Sequence, residues 1–301
     1  MSSSQISELN NQRPIPQEAF DWYDEYAHGL IDRRTFMTRL AGLAALGFSM
    51  NMLVGALMPN YAFAEQVSFN DPEIKANYIK YQSPKGHGEC QGYIVVPANV
   101  EKAPAVLVIH ENRGLNPYIK DVARRLAKAG FLAFAPDALY PIGGYPGNDD
   151  EGRAMQASMD KAKIEEDFIA AAELIKNHDH STGKLGAVGF CFGGYITNML
   201  AATMPDQLDA AVPFYGTPSA EDLRHNVKGP ILLQFAELDE RVNATWPDYE
   251  AQLKENGADY QAYIYKDANH GFHNDSTSRY DPEDAELAWT RTIDFFYKHL
   301  K

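Results

Sequence analysis

A cysteine framed by glycines, Cys191, stands where the sequence predicts a sharp turn between a strand and a helix. It lies in the run Gly189-Phe190-Cys191-Phe192-Gly193-Gly194, after the apolar residues 185–188 and before the apolar segment 195–202. Glycine fits beside such a turn because larger side chains there would collide with the neighbouring strand and helix. The adjacent helix N-terminus favours a thiolate. The pattern therefore predicts a nucleophile, rather than a small buried hydrophobe or a phosphate-binding loop, whose glycine-lysine signatures are missing from this run.

Two further residues complete a nucleophile, acid and histidine in chain order. Asp239 lies just past the end of an apolar, strand-like run, residues 230–236, and His270 lies on the loop after the next one. A carboxylate at a strand end can orient an imidazole towards a nucleophile, and this chain order is the one found in α/β-hydrolases. We favour Asp239 as the acid, since neighbouring carboxylates in such a loop are usually solvated. The competing acids are Glu237 and Glu240.

Residues 72–300 resemble the dienelactone hydrolase (carboxymethylenebutenolidase) family of α/β-hydrolases. Besides the cysteine turn and the Asp239 loop, the resemblance rests on the runs Asn269-His270-Gly271-Phe272 and His110-Glu111-Asn112-Arg113-Gly114. It implies that Glu111 lies beside the thiol and helps to switch it on when substrate binds. It also implies an oxyanion hole formed by the backbone N–H groups of Asn112 and Phe192. A carboxylate beside a thiol raises the thiol's pKa, which suits a guarded nucleophile; without the resemblance, Glu111 is equally an ordinary loop carboxylate.

These residues predict the hydrolysis of a small ester or lactone. His270 would deprotonate Cys191, Asp239 would fix the tautomer of the imidazole, and water would clear the thioester acyl-enzyme. Two alternatives remain: a non-catalytic binding protein with the same fold, and a redox-sensing thiol protein. No cofactor is expected. A metal site built from His270, His273 and Asp275 is disfavoured, because no further ligand pair at suitable spacing accompanies them.

The expected substrate is a neutral or merely polar ester. The resemblance implies two arginines that hold the carboxylate of the family's namesake substrate, and this chain has Asn274 and Ile142 at those places. Arginine–carboxylate pairs are strong, so their loss should weaken acidic lactones. Two nearby arginines remain open as replacements, Arg113 and Arg153. The rim of the pocket is expected to carry three other polar side chains, Tyr140, Tyr145 and His273.

The first 64 residues are predicted to be a leader, and residues 65–301 the catalytic domain. The pair Arg33-Arg34 precedes a stretch, residues 40–64, that has no charged residue and ends in Ala-Phe-Ala. This resembles a bacterial twin-arginine export signal with a cleavage site after Ala64, and it predicts a periplasmic protein that uses the export machinery as a partner. The alternatives are an uncleaved anchor in the inner membrane, through residues 40–58, and a cytosolic helical extension.

Charge and cysteine content limit the partners. The 301 residues include 27 Lys and Arg against 41 Asp and Glu, for a formal net charge of −14. Such an acidic chain is a poor match for nucleic acid or an anionic membrane, so a small-molecule partner is expected. The two cysteines, Cys90 and Cys191, are interpreted as free thiols, because a disulfide between them would consume the nucleophile.

Strand-like and helix-like segments alternate along the body of the chain. This alternation predicts an α/β-hydrolase fold, with a mostly parallel, doubly wound sheet, preceded by a helical leader. The predicted strands are residues 93–96, 105–109, 131–135, 185–188, 210–215, 230–236 and 260–265. The predicted helices are residues 119–129, 153–177, 195–202 and 284–300, with a glycine-rich loop at 143–152.

Overall fold

Eight strands form a single sheet. The computed structural model describes residues 15–57 and 60–301, except the side chains of residues 62 and 63. The strand order is β1-β2-β4-β3-β5-β6-β7-β8; β1 and β2 are antiparallel to their neighbours and the other strands run parallel. The strands are β1 Ile74–Ser83, β2 Gly88–Pro97, β3 Ala103–Ile109, β4 Leu132–Pro136, β5 Ser181–Phe190, β6 Ala210–Phe214, β7 Ile231–Ala236 and β8 Tyr260–Tyr265.

Helices cover both faces of this sheet. Helices α5 and α11 share one hydrophobic core with the sheet, and α7, α8 and α10 share a second core on the other face. The predicted doubly wound α/β fold is therefore confirmed. The helices are α1 Gln17–Ala27, α2 Arg33–Ala45, α3 Met50–Leu57, α4 Tyr61–Ala64, α5 Pro117–Lys128, α6 Asp149–Ala157, α7 Lys161–Lys176, α8 Phe192–Thr203, α9 Glu240–Asn243, α10 Trp246–Asn256 and α11 Pro282–Leu300.

Several elements differ from the sequence prediction, which contained neither α9 nor α10. The single helix expected over residues 153–177 is two helices, because the Asp160 side chain accepts hydrogen bonds from the N–H groups of Ala162 and Lys163 and so caps a new helix, α7. Strand β1 was not predicted. It is an edge strand with mostly exposed or half-buried side chains, so its sequence lacks the apolar run that identified the central strands.

The described part of the predicted leader, residues 15–57 and 60–64, is largely helical, as predicted, and helices α1 to α3 have a small core of their own. Helices α1 to α3 bury Tyr23, Phe36, Leu40 and Leu53 against one another, in a cluster separate from the two cores of the sheet. The uncharged stretch is divided between α2 and α3 by a turn at Gly47, whose φ is +100°. Over residues 15–57 and 60–301, no helix combines the length and the apolar character needed to cross a membrane.

Candidate active site

Cys191 occupies a strained turn between β5 and α8. Its φ of 58° and ψ of −111° are unusual for a residue with a side chain. The flanking glycines are required by space: a Cβ atom on Gly189 would lie 2.0 Å from the carbonyl oxygen of Gly193, and one on Gly193 would lie 2.2 Å from that of Ile109. The predicted turn and the predicted reason for its glycines are thus both present in the structure.

Asp239 and His270 meet at the same edge of the sheet. Asp239 follows β7 and His270 follows β8, and Asp239 Oδ2 lies 2.5 Å from His270 Nδ1. Both side chains are buried. The second carboxylate oxygen of Asp239 accepts the N–H of Val242 at 3.1 Å and caps α9, which keeps the carboxylate in one orientation.

The other nitrogen of His270 is left for the thiol. Nε2 is buried and has no hydrogen-bond partner among the described residues, and a ring nitrogen of His270 lies within 4.8 Å of the sulfur of Cys191. The ring also packs on Tyr215, with 4.9 Å between centroids. The structure therefore brings Cys191, Asp239 and His270 together.

Neighbouring charges oppose the effect of burial on the pKa of Cys191. Burial raises the pKa of Cys191, but the positive charges of His270 and His28 outweigh it, so the thiol's pKa lies well below its usual range. Burial lowers the pKa of His270, yet the carboxylates of Asp24 and Asp239 and the Cys191 thiolate raise it overall to about 10. Both shifts favour a thiolate–imidazolium pair over the neutral pair.

Glu111 is buried close to this pair but is bound elsewhere. Its carboxylate accepts a hydrogen bond from Asn274 Nδ2 at 3.1 Å and lies 3.5 Å from Arg113 Nε. Burial raises its pKa, the Arg113 charge opposes this, and the negative charge of Cys191 raises it further. Asn274, at one position where the resemblance implies a substrate-binding arginine, thus holds Glu111 in this structure.

The two predicted oxyanion donors, Asn112 and Phe192, line the same cavity. Phe192 is the first residue of α8, where a helix leaves its N–H groups without an intrahelical acceptor, and Asn112 follows β3. Neither backbone N–H donates a hydrogen bond within the part of the chain that the structure describes. The Asn112 side chain, in contrast, donates to the carbonyl oxygen of Ala27 at 2.6 Å.

None of the three predicted rim residues lines either of the two cavities described below. Tyr140 faces strands β1 and β2, where its hydroxyl donates to a carboxylate on β2. The hydroxyl of Tyr145 donates to Asp149 at 2.7 Å. His273 lies in the core, 2.7 Å from the hydroxyl of Tyr118, and burial lowers its pKa to about 3. A tyrosine in a glycine-rich loop does not reveal its direction without the tertiary fold.

Two cavities lie beside neighbours of the cysteine, one against His270 and the other against His28 and Phe192. One of about 720 Å³ is lined by Asp239, His270, Arg241 and Arg279. The other, of about 530 Å³, is lined by Asn112, Phe192 and Arg153 among others. Arg113 is buried and paired with Asp149 at 2.9 Å, away from both cavities. Two arginines, Arg241 and Arg279, line the first cavity, and both lie near the carboxylate of Asp24. Sequence reasoning missed them because no recognisable motif marks them.

The residue that follows helix α1 also lies at this site. His28, directly after α1, places Nε2 at 3.3 Å from the sulfur of Cys191. One nitrogen or sulfur atom from each of His28, Cys191 and His270 lies within 4.8 Å of the others, a donor set that suits a transition metal. However, the Arg241 guanidinium lies 2.9 Å from the same Nε2. Because a guanidinium competes with a cation for that nitrogen, we assign no metal to this cluster.

An α/β sheet with a glycine-framed turn after its central strand, and an acid and a histidine at the same edge, defines the α/β-hydrolase class. Residues 90–300 match the family model described as "Dienelactone hydrolase family", and the chain belongs to that family. It is a hydrolase of the dienelactone hydrolase type. Residues 8–45 match a second model, described as "YqhI-like".

Known proteins agree with this assignment. The chain is 64% identical over 109 residues to "Putative hydrolase fragment YghX" of Escherichia coli, covering 36% of this chain and 93% of the relative. It is 38% identical over 221 residues to "Putative carboxymethylenebutenolidase" of Aquifex aeolicus, covering 70% and 94%. A solved "Putative Dienelactone Hydrolase" of Klebsiella pneumoniae is 26% identical, with a TM-score of 0.65 over 74% of this chain and 99% of that one.

Proposed function

We propose that the protein hydrolyses a small ester or lactone with Cys191 as nucleophile, His270 as base and Asp239 as the residue that orients it. One observation carries this proposal: Asp239 Oδ2 binds Nδ1 of His270 at 2.5 Å, so the buried, unpartnered Nε2 is the nitrogen left for the thiol. The name of the Aquifex aeolicus relative, a carboxymethylenebutenolidase, favours a lactone among the substrates.

The reaction runs in two halves. The thiolate attacks the carbonyl carbon, and the N–H groups of Asn112 and Phe192 stabilise the oxyanion. Collapse of this intermediate breaks the C–O bond, and protonated His270 gives its proton to the leaving oxygen. Neutral His270 then takes a proton from water, whose oxygen attacks the thioester; the acid is released, and the thiolate–imidazolium pair is restored.

Glu111 is the proposed regulator of the thiolate. Its carboxylate is buried and tied to Asn274 and Arg113, and a negative charge so close to sulfur disfavours the thiolate. Substrate that changes these contacts would change the charge near Cys191. Glu111→Gln should therefore shift the acid limb of the alkylation of Cys191 to lower pH.

The two cysteines provide a matched test of the nucleophile. Cys191→Ala should abolish the hydrolysis of p-nitrophenyl acetate and of simple lactones. Cys90→Ala should leave it unchanged, because Cys90 is buried on β2 and its pKa is raised to about 12 by burial and by the Asp167 charge. Full turnover by Cys191→Ala would refute the mechanism. Reversible oxidation of Cys191 with no esterase activity in any form would favour the redox-sensing alternative.

We also propose that residues 1–64 direct export to the periplasm through the twin-arginine pathway. The support is the exposed pair Arg33 and Arg34 at the start of α2, followed by the uncharged stretch. The double substitution Arg33→Lys with Arg34→Lys should leave the protein in the cytoplasm on cell fractionation. Wild-type protein found in the cytoplasm with its Met1 terminus intact would refute export, and wild-type protein retained in the inner membrane with an intact leader would indicate an anchor.

A further inference from the structure

Helix α1 and the residue after it lie across the mouth of the site. We call residues 17–28 the plug. His28 Nε2 lies 3.3 Å from the Cys191 sulfur, and the carbonyl oxygen of Ala27 accepts a hydrogen bond from the Asn112 side chain at 2.6 Å. The plug thus contacts both the sulfur and a residue whose backbone N–H is proposed to bind the oxyanion.

The position of His28 is the one that an attacked carbonyl needs. Reacting atoms must approach to about 3–3.5 Å before a bond forms, and the imidazole of His28 already fills that distance from the sulfur. Cys191 is only 7% exposed as a result of this packing and its own burial. Substrate and His28 therefore compete for the same space.

A carboxylate of the plug lies near two guanidinium groups at the rim of the site. Asp24 Oδ1 lies 3.6 Å from Nη1 of Arg279, and Asp24 Oδ2 lies 4.0 Å from Nε of Arg241. Both guanidinium groups belong to the cavity beside His270. At the ends of the plug, the Gln17 amide donates to Asn269 Oδ1 at 2.5 Å, and the Arg153 guanidinium lies 4.5 Å from the centre of the Tyr26 ring.

The plug meets the catalytic domain mainly through these polar contacts. Its large apolar side chains pack within the separate core of α1 to α3. An interface made of hydrogen bonds and charge pairs, with no core shared across it, resembles a transient one. The matched part makes up nearly the whole of one relative: the match to the Klebsiella pneumoniae structure covers 74% of this chain and 99% of that one. These features favour a plug that can separate from residues 65–301.

We propose that residues 17–28 are a built-in inhibitor that closes Cys191 until the plug undocks or is removed. This inference rests on the proposed function, in which Cys191 is the nucleophile. Cleavage after Ala64 would remove the plug together with the leader, so an exported enzyme would become active only after processing.

The test is Asp24→Lys in the full chain, with Asp21→Lys as its matched control. Lysine at position 24 faces Arg241 and Arg279 and should expel the plug. Asp21 is exposed and lies about one turn earlier on the same helix, and its side chain has a hydrogen bond only with Gln17 and no ion pair among the described residues. The first readout is the rate at which iodoacetamide alkylates Cys191, followed by mass spectrometry. The second is the hydrolysis of p-nitrophenyl acetate. Circular dichroism checks that each variant is folded.

Alkylation reports access when the rates are compared on the high-pH plateau of each variant, because His28 on the plug is one of the charges that lower the thiol's pKa. A plug that leaves the site open in about one molecule in 100 slows alkylation about 100-fold, so we expect Asp24→Lys to raise the rate by at least about tenfold and Asp21→Lys to leave it unchanged. Equal rates in wild type and Asp24→Lys would overturn the inference, as would a lower rate, which would make the plug part of the active site.

A second experiment works in trans and does not depend on how Asp24→Lys folds. A peptide of residues 15–57, which contains the whole core of α1 to α3, should protect Cys191 of the chain 65–301 from iodoacetamide, and the same peptide with Asp24→Lys should not. Protection by neither peptide would overturn the inference. If the plug controls alkylation of Cys191 but no form of the protein hydrolyses esters, the plug covers the thiol and the proposed hydrolysis is wrong. If the full wild-type chain hydrolyses esters as fast as residues 65–301 do, the proposed hydrolysis is supported and the inhibitor is refuted.

Discussion

Asp239→Asn separates the orientation of His270 from the stability of the loop. Asp239 uses both oxygens, one for His270 Nδ1 at 2.5 Å and one for the N–H of Val242 at 3.1 Å. Asparagine has a single oxygen. If that oxygen keeps the helix cap, as asparagine does well, the amide NH₂ faces Nδ1. The imidazole must then carry its proton on Nε2, where it cannot accept one from Cys191.

The size of the effect follows from this tautomer. Placing the proton on the wrong nitrogen of a catalytic histidine costs about 10⁴-fold in kcat in serine proteases, so we expect a fall of about 10³–10⁴-fold. Loss of the carboxylate also lowers the pKa of His270, at present about 10. With less positive charge beside it, the pKa of Cys191 rises, and the acid limb of its alkylation moves to higher pH.

The assay is ester hydrolysis with kcat and KM separated, together with the pH dependence of the alkylation of Cys191. Each is measured in the full chain and in residues 65–301, so that the plug does not mask the result. Glu240→Gln is the matched control, since it makes the same change on an exposed neighbour in the same loop. A variant Asp239→Asn that keeps more than about a tenth of the wild-type kcat, against an expected loss of about 10³-fold or more, would refute the role of Asp239.

Two further predictions concern the turn and the substrate. Gly193→Ala should lower the free energy of unfolding by about 1–3 kcal/mol or more, because its Cβ would lie 2.2 Å from a backbone oxygen. Gly55→Ala is the control and should not destabilise the protein, since a Cβ there has nothing within 4 Å. Equal unfolding midpoints of the two variants in urea would contradict the packing argument. In residues 65–301, an ester bearing a carboxylate should have a kcat/KM at least about tenfold above that of its neutral analogue, since a charged hydrogen bond contributes about 1.5–3 kcal/mol and Arg279 lines the cavity. Arg279→Gln should remove the difference, and a preference for the neutral ester would restore the expectation drawn from Asn274 and Ile142.

Local chemistry made much of this site predictable. The turn at Cys191 needs glycines at fixed neighbouring positions, and the strands that carry Asp239 and His270 have apolar or alternating patterns that a single sequence shows directly. Parallel strands end at one edge of a sheet, so chain order alone placed the acid and the histidine beside the cysteine. The edge strand β1 and the break between α6 and α7 were not predictable, because a mostly exposed strand and a single capping aspartate carry weak signals in the sequence.

The sequence by itself determined the α/β fold and the turn at Cys191, because both depend on residue types at short, fixed spacing, and it showed the chain order of Cys191, Asp239 and His270. Only the tertiary structure decided what else surrounds the sulfur. His28 lies 163 positions from Cys191, and Arg279 lies 255 positions from Asp24, yet these pairs are in contact or nearly so. No local pattern records such pairings, since they arise from how a separately packed helical segment docks on a finished domain.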